Sequence, residues 1–331
     1  MKHLNVLARS LAALALSGLA ATAAANTYTS LTVFGDSLSD TGNWLTVSGG
    51  TFPPPPYYQG RFSDGLVWVD RLAGGLGTVA TPSFAGGTNY AWGGARTGPA
   101  SVDPFDLPQS LLTQAGMWSS VSGGVADPNG LYVLVGGGND MRDARSAFQT
   151  DSDADKAGRQ AAAAQAASNL ITNLGFLASK GVKNVLVSNL PDLGRTPEAV
   201  GLGVVDASQD ASARFNAMMP TVLGAGASFG LNMMFLDMAG LSAQIYDDAV
   251  NNGGKKFGLT NAMLPCGPFL QGGGPSCDIS LFSDALHPSA RAHALLGEYA
   301  LLAVGVPEPQ TYALMALGLG LLGWRARRRQ A

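Results

Sequence analysis

Histidine, cysteine and charge are all scarce in this chain. Of the three histidines in 331 residues, His3 lies in an N-terminal segment that we expect to be removed, which restricts a histidine base to His287 or His293. The two cysteines, Cys266 and Cys277, are too few for a closed zinc site. Charged residues make up 13% of the chain, about half the usual share, and 44 residues are glycine, which indicates many tight loops.

The N-terminal end has the pattern of a secretory signal peptide. Lys2 and Arg9 precede an apolar run over residues 11–19, and the small residues 20–25 offer cleavage sites. We therefore expect residues 1–25 to be removed on export.

Export would place the chain in an oxidising compartment. A single pair of cysteines there favours a disulfide between Cys266 and Cys277. A cysteine nucleophile is the alternative, although neither cysteine follows a predicted strand.

The C-terminal end combines Val306-Pro307-Glu308-Pro309, an apolar stretch over residues 312–324 and four arginines within residues 325–329. The apolar stretch is shorter than the roughly 20 residues that span a bilayer. The arginines would hold this end on the cytoplasmic side of the membrane. Together the three features resemble the bacterial PEP-CTERM sorting signal, which implies transient membrane association and removal by an exosortase. A permanent short anchor is the alternative.

The remaining region, residues 26–305, has the length of one large α/β domain. Between the two terminal signals the chain has 14 basic and 22 acidic side chains, and this acidic balance argues against nucleic acid as a partner. We divide the chain into a signal peptide (1–25), this domain and a sorting segment (306–331).

Short apolar runs alternate with helical patterns five times within this region. Such alternation predicts a parallel, doubly wound sheet with helices on both faces. The run at Leu131–Val135 is continuously apolar, as in strands that are buried on both faces. The five predicted strands are the apolar run that opens residues 31–40 and breaks on a glycine, residues 78–80, Leu131–Val135, residues 182–187 and Asn232–Leu236.

The first strand delivers Asp36, Ser37 and Ser39 at its carboxyl end. A serine at this position can be a nucleophile, provided that the fold supplies a histidine base, a carboxylate to orient it and donors for an oxyanion. The alternative is an ordinary Gly-Asp-Ser turn.

The base and its carboxylate are predicted in residues 282–294, FSDALHPSARAHA. Asp284 and His287 lie three residues apart, so they can hydrogen-bond across one turn and leave Nε2 free to accept the Ser37 proton. A capping aspartate and a surface histidine are the alternative. Pro288 suits the first position of the helix that follows.

An oxyanion donor is predicted just past the strand Leu131–Val135. Asn139 falls at the carboxyl edge of the sheet, where open α/β proteins bind ligands, and its amide can donate to an oxyanion. Paired glycines at Gly93 and Gly94 also allow a close backbone approach, although glycine pairs are common in this chain.

Four aromatic residues, Trp44, Phe52, Tyr57 and Tyr58, follow the nucleophile on a loop that is stiffened by prolines. We expect them to form an apolar wall beside Ser37. A surface loop with no role in substrate binding is the alternative.

Four motifs now stand in a fixed order: Gly35-Asp36-Ser37-Leu38, Asn89 with Gly93-Gly94, residues 136–140 and Asp284-Ala285-Leu286-His287. They resemble the four sequence blocks of the GDSL, or SGNH, hydrolase family, and the resemblance covers almost the whole mature chain. The Gly-x-Ser-x-Gly elbow of α/β-hydrolases is absent around Ser37.

The resemblance implies a three-layer α/β/α sandwich with a five-stranded, mainly parallel sheet. In this family Ser37 would be the nucleophile, His287 the base and Asp284 its partner. The oxyanion hole would consist of the Ser37 N–H, the Gly94 N–H and the Asn139 side chain, with Gly93 as the alternative to Gly94.

The implied function is that of an exported carboxylic ester hydrolase, of the lipase or esterase type, that acts through an acyl-serine without a metal or cofactor. Its substrate would be a lipid, a small ester or an acylated glycan. A carbohydrate deacetylase of the same fold is the first alternative. A non-catalytic surface binding module is the second, and a pure binder has no need for all of Ser37, Asn139, Asp284 and His287.

Overall fold

A computed structural model describes residues 28–99 and 108–306 of the chain. The expected signal peptide and nearly all of the expected sorting segment lie outside these described residues. None of the helices within them is long and apolar enough to cross a bilayer.

The described residues begin with a strand and alternate strands with helices as far as residue 251. The order is β1 (Leu31–Gly35), α1 (Asn43–Val47), α2 (Trp68–Gly75), a 3-10 turn (Ser83–Ala85), α3 (Leu111–Val121), β2 (Leu131–Val135), α4 (Gly138–Ala147), α5 (Asp153–Ser179), β3 (Asn184–Ser188), a 3-10 turn (Leu193–Arg195), α6 (Pro197–Leu202), α7 (Val205–Ser228), β4 (Asn232–Leu236) and α8 (Met238–Asn251). The chain then continues through β5 (Asn261–Pro265), 3-10 turns at Gly267–Phe269 and Cys277–Ile279, β6 (Ser280–Phe282) and α9 (Ala290–Ala303).

The central sheet is parallel, with the strand order β1-β2-β3-β4. All five residues of β1 and of β2 are buried, as expected for strands that have helices on both faces. Parallel pairing places the carboxyl ends of the strands at one edge, so the segments that follow β1 and β2 meet there.

The two faces of the sheet form separate cores. One face presents Phe34, Tyr132 and Leu134 to α3, α5 and α7. The opposite face presents Val33 and Val133 to α2 and α9. Because alternate residues of a strand point to opposite faces, each strand contributes to both cores, and each fully buried Val, Leu or Phe is worth about 1.5–3 kcal/mol. The predicted α/β/α class is confirmed.

The strand count differs from the prediction. Residues 78–80 form no strand; they follow α2 as a loop. The free edge of β1 is lined instead by residues 88–92, where Tyr90 N–H donates to Val33 O at 2.7 Å and Trp92 N–H donates to Gly35 O at 3.0 Å. This segment pairs with β1 only through an isolated bridge, so four strands form the described central sheet.

A two-stranded parallel sheet, β5 with β6, lies outside the central sheet. It packs with α8 and α9 around a third cluster that includes Ile245, Leu281 and Ala292. A disulfide joins Cys266, just after β5, to Cys277, just before β6. These elements lead the chain into the loop that contains Asp284 and His287.

Candidate active site

Ser37 lies two residues after β1, at the carboxyl edge of the sheet. The Asp36 carbonyl accepts a hydrogen bond from the Ser39 N–H at 3.0 Å, so the chain turns as it leaves the strand. The Gln114 side chain bonds both backbone groups of Gly35, at 2.8 and 2.9 Å, and thereby fixes the end of the strand. The nucleophile predicted from the sequence is therefore mounted on a tightly held turn.

The loop between β6 and α9 brings His287 and Asp284 to this turn. His287 Nε2 lies 2.9 Å from Ser37 Oγ, and His287 Nδ1 lies 2.6 Å from Asp284 Oδ2. The other carboxylate oxygen of Asp284 accepts the backbone N–H groups of Leu286, at 2.7 Å, and His287, at 2.6 Å. The three side chains form a continuous Ser–His–Asp hydrogen-bonded chain across 250 residues of sequence.

Asp284 is held as a carboxylate by its partners. Burial by itself raises the pKa of this carboxyl, but the His287 charge, hydrogen bonds from His287 and the Tyr57 hydroxyl together lower the pKa well below its ordinary value. The Tyr57 hydroxyl donates to Asp284 Oδ2, and burial together with this bond raises the tyrosine pKa. An ionised Asp284 can orient His287 and stabilise an imidazolium.

Asn139 lies in the first turn of α4, which begins just after β2. Its amide nitrogen donates to Ala95 O at 2.9 Å, and its amide oxygen accepts from Arg142 Nη1 at 3.3 Å. These two bonds fix which end of the amide carries the N–H groups. One amide hydrogen remains to serve as a donor beside Ser37, where the positive end of the α4 dipole also favours negative charge.

The structure distinguishes the two glycines of the second motif. The Gly93 N–H donates to Asp40 Oδ2 at 2.9 Å, so this donor is already used. Gly94 has a φ of 86°, in the left-handed region that favours glycine, and no hydrogen bond from its N–H occurs among the described residues. This arrangement favours Gly94 over Gly93 as the backbone donor.

Two further aspartates are buried beside the serine turn. Asp40 accepts the N–H groups of Gly42, Asn43 and Gly93, and burial raises its pKa to about 6. Burial likewise raises the pKa of Asp36 to about 6. Asp40 thereby ties the turn after β1 to the Gly93-Gly94 segment.

None of the four aromatic residues that were predicted to form an apolar wall lines the cavity beside Ser37. Trp44 donates through Nε1–H to Gly93 O at 2.7 Å, and Phe52 packs edge-on against Trp44. Tyr57 bonds Asp284 as described above, and Tyr58 packs with the Arg61 guanidinium.

The aromatic residues lie outside the cavity lining because the proline-rich loop packs against the backbone segment at Gly93 and against the His287 loop. Phe62, which was not singled out in the sequence, has its ring 5.4 Å from the His287 ring and also packs against Phe52 and Tyr57. The aromatic residues therefore support the Ser–His–Asp groups instead of lining the cavity.

The cavity beside Ser37 has a volume of about 110 Å³. Its apolar walls come from residues such as Leu38, Pro191, Met238 and Leu281. Charged side chains, Arg142, Asp192 and Arg195, lie on other parts of its lining, and Asn139 and His287 border it as well. The candidate catalytic groups thus open onto one mainly apolar space that a few charged side chains border.

A charged cluster next to the site was missed by the sequence reasoning. Arg142 and Arg145 both bond the Glu198 carboxylate, and these bonds together with the ionic charges lower the pKa of Glu198 in spite of its burial. The Glu198 N–H donates to Ala285 O at 2.7 Å. The cluster therefore links Asn139, through Arg142, to the Asp284–His287 loop. No sequence motif identified Glu198, because its partners lie more than 50 residues away.

His293 is fully buried in α9 and lies away from the serine. Its Nδ1 accepts the Trp68 N–H at 3.3 Å, and burial lowers its pKa to about 3. Of the two histidines left open by the sequence, only His287 contacts Ser37. The side chains of Asp64, Cys266 and Cys277 also lie close together, but both sulfurs are bonded in the disulfide and cannot hold a metal.

The fold and the site together define a class of protein: a parallel α/β sandwich with a hydrogen-bonded Ser–His–Asp group at the carboxyl edge of its sheet. Within this class, the chain belongs to the GDSL-like lipase/acylhydrolase family, whose model matches residues 31–300. A second model, the PEP-CTERM protein-sorting motif, matches residues 305–329 and indicates export with targeting to the cell surface or exterior.

Three curated relatives illustrate the range of this similarity. The phosphatidylcholine-sterol acyltransferase of Aeromonas hydrophila is 30% identical over 245 residues, which cover 72% of this chain and 65% of that protein. Lipase 1 of Photorhabdus luminescens is 31% identical over 205 residues, 60% of this chain and 27% of that protein. Esterase EstA of Pseudomonas aeruginosa is 28% identical over 331 residues, 86% of this chain and 48% of that protein. The chain therefore spans less than two thirds of the length of each of these relatives.

Proposed function

We propose that the protein is an exported carboxylic ester hydrolase that acts through an acyl-serine formed at Ser37. The observation that supports this most strongly is the hydrogen-bonded chain from Ser37 Oγ through the His287 ring to Asp284, at 2.9 and 2.6 Å. Family membership and the names of the relatives, esterase, lipase and acyltransferase, favour the same reaction class.

In the first half of the reaction, Ser37 Oγ attacks the ester carbonyl carbon and His287 Nε2 takes the hydroxyl proton. The carbonyl oxygen becomes an oxyanion, which the N–H groups of Ser37 and Gly94 and the Asn139 amide stabilise. The tetrahedral intermediate then expels the alcohol, which receives the proton from His287. Asp284 keeps the imidazole in the required orientation throughout.

In the second half, water attacks the acyl-serine and gives its proton to His287. Collapse of the second tetrahedral intermediate releases the carboxylic acid and returns the proton to Ser37 Oγ. His287 thus accepts and returns one proton in each half of the reaction, and Ser37 ends in its starting state.

The location of this activity follows from the two ends of the chain. We propose that residues 1–25 direct export and that an exosortase-type enzyme removes the segment that begins at residue 306, after a transient stay in the membrane. The mature ester hydrolase would then be residues 26–305.

The test is hydrolysis of p-nitrophenyl butyrate by the purified protein and three variants. Ser37→Ala and His287→Ala should both lose turnover by several orders of magnitude while circular dichroism stays native. The first removes the hydroxyl that attacks the ester, and the second removes the base that accepts its proton. His293→Gln is the matched control, since it alters the other remaining histidine and keeps an acceptor for the Trp68 N–H. Retained turnover in Ser37→Ala would refute the assignment of the nucleophile.

The alternatives have separate outcomes in a wider panel. Release of acetate from acetylated xylan together with no hydrolysis of nitrophenyl esters would replace the lipase or esterase function with carbohydrate deacetylation. No turnover of any ester in the panel by folded protein would support the surface binding module.

A further inference from the structure

A second, smaller cavity of about 50 Å³ adjoins the one beside Ser37. The two share six lining residues: Leu38, Pro191, Met238, Ser242, Leu281 and Pro288. Beyond these shared residues, the second cavity continues to Ile245, Ala292 and Leu296. The space beside the nucleophile is therefore extended between α8 and α9, and we call this extension the acyl cleft.

The acyl cleft is almost entirely aliphatic. Met238, Leu241, Ser242 and Ile245 recur at the spacing that places residues on one face of α8. Ser242 is the only polar side chain among the residues that line the cleft, and its hydroxyl donates to a carbonyl of its own helix, Ala239 O, at 3.2 Å. A sugar or a phosphate would leave its polar groups without partners here, whereas a hydrocarbon would not.

The rest of the space around Ser37 is also mainly apolar, but charged side chains border it. Arg142, Asp192 and Arg195 line only the first cavity. An ester has two parts, an acyl chain and an alcohol, and these two environments suit them unequally. The first cavity, with charged side chains at its border, can accept an alcohol part that carries polar groups, and the acyl cleft fits an apolar chain.

We propose that the acyl cleft binds a linear acyl chain of medium length, which makes medium-chain acyl esters the preferred substrates. This inference rests on the proposed ester hydrolysis, because it names the acyl part of the same substrate. It replaces the aromatic wall as the source of chain selectivity: aliphatic residues of α8, α9 and β6 take this role, and the aromatic loop supports the catalytic groups.

The length of the cleft sets the length of the chain. Met238 and Ile245 are seven residues apart on α8, which corresponds to about 10 Å along the helix axis. An extended chain of roughly eight carbons, with carbon–carbon bonds of about 1.5 Å, covers this distance. The best substrate should therefore be an ester of about the length of octanoate.

The first experiment measures kcat/KM for p-nitrophenyl acetate, butyrate, hexanoate, octanoate and palmitate. Each methylene buried in the cleft should raise kcat/KM about fourfold, until the chain reaches the far end near Ile245 and Leu296. We expect a rise up to about octanoate and no further gain at palmitate. A flat profile, or a maximum at acetate, would overturn the proposal.

Variants on one helix separate the cleft from general effects. Ser242→Phe places a ring where the two cavities meet, so the ratio of octanoate to acetate hydrolysis should fall at least tenfold. Val250→Phe adds the same ring to an exposed position of α8, outside the cleft, and should keep the wild-type ratio. Leu296→Ala lengthens the cleft at its partly exposed far end and should move the optimum to longer chains. An unchanged ratio in Ser242→Phe would contradict the cleft.

A second series of esters tests whether the acyl part or the alcohol part of the substrate occupies the cleft. Acetate esters of butanol, hexanol and octanol vary the alcohol alone, and the proposal expects little change of kcat/KM along this series. A steeper rise here than along the acyl series would place the alcohol in the cleft.

Direct binding does not require catalysis. Calorimetric titration of the Ser37→Ala protein with sodium octanoate should show binding that sodium acetate lacks and that Ser37→Ala/Ser242→Phe loses. If Ser37→Ala binds octanoate but the wild-type protein hydrolyses no ester, the ester hydrolase is refuted and the cleft is kept. If the wild-type protein hydrolyses esters without chain selectivity and Ser37→Ala does not bind octanoate, only the cleft is refuted.

Discussion

Substitution of Tyr57 by phenylalanine separates two roles for this residue. Tyr57→Phe keeps the aromatic ring and removes only the hydroxyl that donates to Asp284 Oδ2. If Tyr57 supports the carboxylate, the loss of one hydroxyl should reduce the rate. If Tyr57 were part of an apolar wall for substrate, phenylalanine would serve equally well.

The magnitude follows from the remaining donors to Asp284. A hydrogen bond to a charged group is worth about 1.5–3 kcal/mol. The carboxylate keeps the Leu286 and His287 N–H groups, at 2.7 and 2.6 Å, and the His287 ring at 2.6 Å. Since these three bonds still fix its position, only part of the lost energy should affect the transition state. About 1 kcal/mol corresponds to a roughly fivefold fall in kcat.

The assay is steady-state hydrolysis of p-nitrophenyl butyrate, with Tyr58→Phe as the matched control. Tyr58 is the neighbouring tyrosine; the residue is 39% exposed and its ring contacts Arg61, so removal of its hydroxyl should leave kcat within twofold. Tyr57→Phe should lower kcat with KM little changed, because the hydroxyl bonds Asp284 and does not line the cavity. Wild-type kcat in Tyr57→Phe, with a loss of chain selectivity in Tyr57→Ala, would refute this reasoning and restore the wall.

Three other outcomes are expected. Asn139→Ala should lower kcat about 10²–10³-fold, the usual cost of one oxyanion donor, and a near-normal rate would make Asn139 a structural turn residue. Because burial lowers the pKa of His293 to about 3, the unfolded chain binds a proton near pH 6.5 that the folded chain excludes; His293 should therefore contribute a loss of about 1.4 kcal/mol of unfolding free energy per unit as pH falls from about 6.5 to 3, and the difference between wild type and His293→Gln in urea titrations at several pH values should show this slope. Replacement of Cys266 and Cys277 by serine should cost about 3 kcal/mol, since their disulfide closes a loop with a sequence separation of 11; an unchanged urea midpoint would contradict this.

The parts of the fold that the sequence predicted well are those with strong local patterns. The strands Leu131–Val135 and Asn232–Leu236 have the predicted bounds, because each is a short run in which every residue except Asn232 is apolar or aromatic. Residues 78–80 were assigned to a strand on three residues, too few for periodicity to decide. The segment that pairs with β1 is residues 88–92, whose hydrogen bonds depend on the neighbouring strand.

Helix ends were predicted less well where two signals compete. Pro288 was expected at the first position of α9, but the helix begins at Ala290 with Ser289 as its N-cap, and the Ser289 hydroxyl accepts the Ala292 N–H. Serine satisfies an unpaired backbone donor, which proline cannot do, so the cap decided the start of the helix.

The candidate catalytic residues were predictable because their chemistry is specific and their spacing is local. Asp284 and His287 lie within one turn, and the scarcity of histidine left few partners for Ser37. The roles of Tyr57, Arg142 and Glu198 depend on contacts between segments that are far apart in sequence. No local pattern carries that information.

The central claim is that Ser37 carries the acyl group during turnover. It can be tested by acid quenching of the protein during steady-state hydrolysis of p-nitrophenyl octanoate, followed by proteolysis and peptide mass analysis. The account predicts an octanoyl group on the peptide that contains Ser37, and its absence in Ser37→Ala. Release of octanoate at the wild-type rate by Ser37→Ala, or an octanoyl group on another side chain of the wild-type protein, would contradict it.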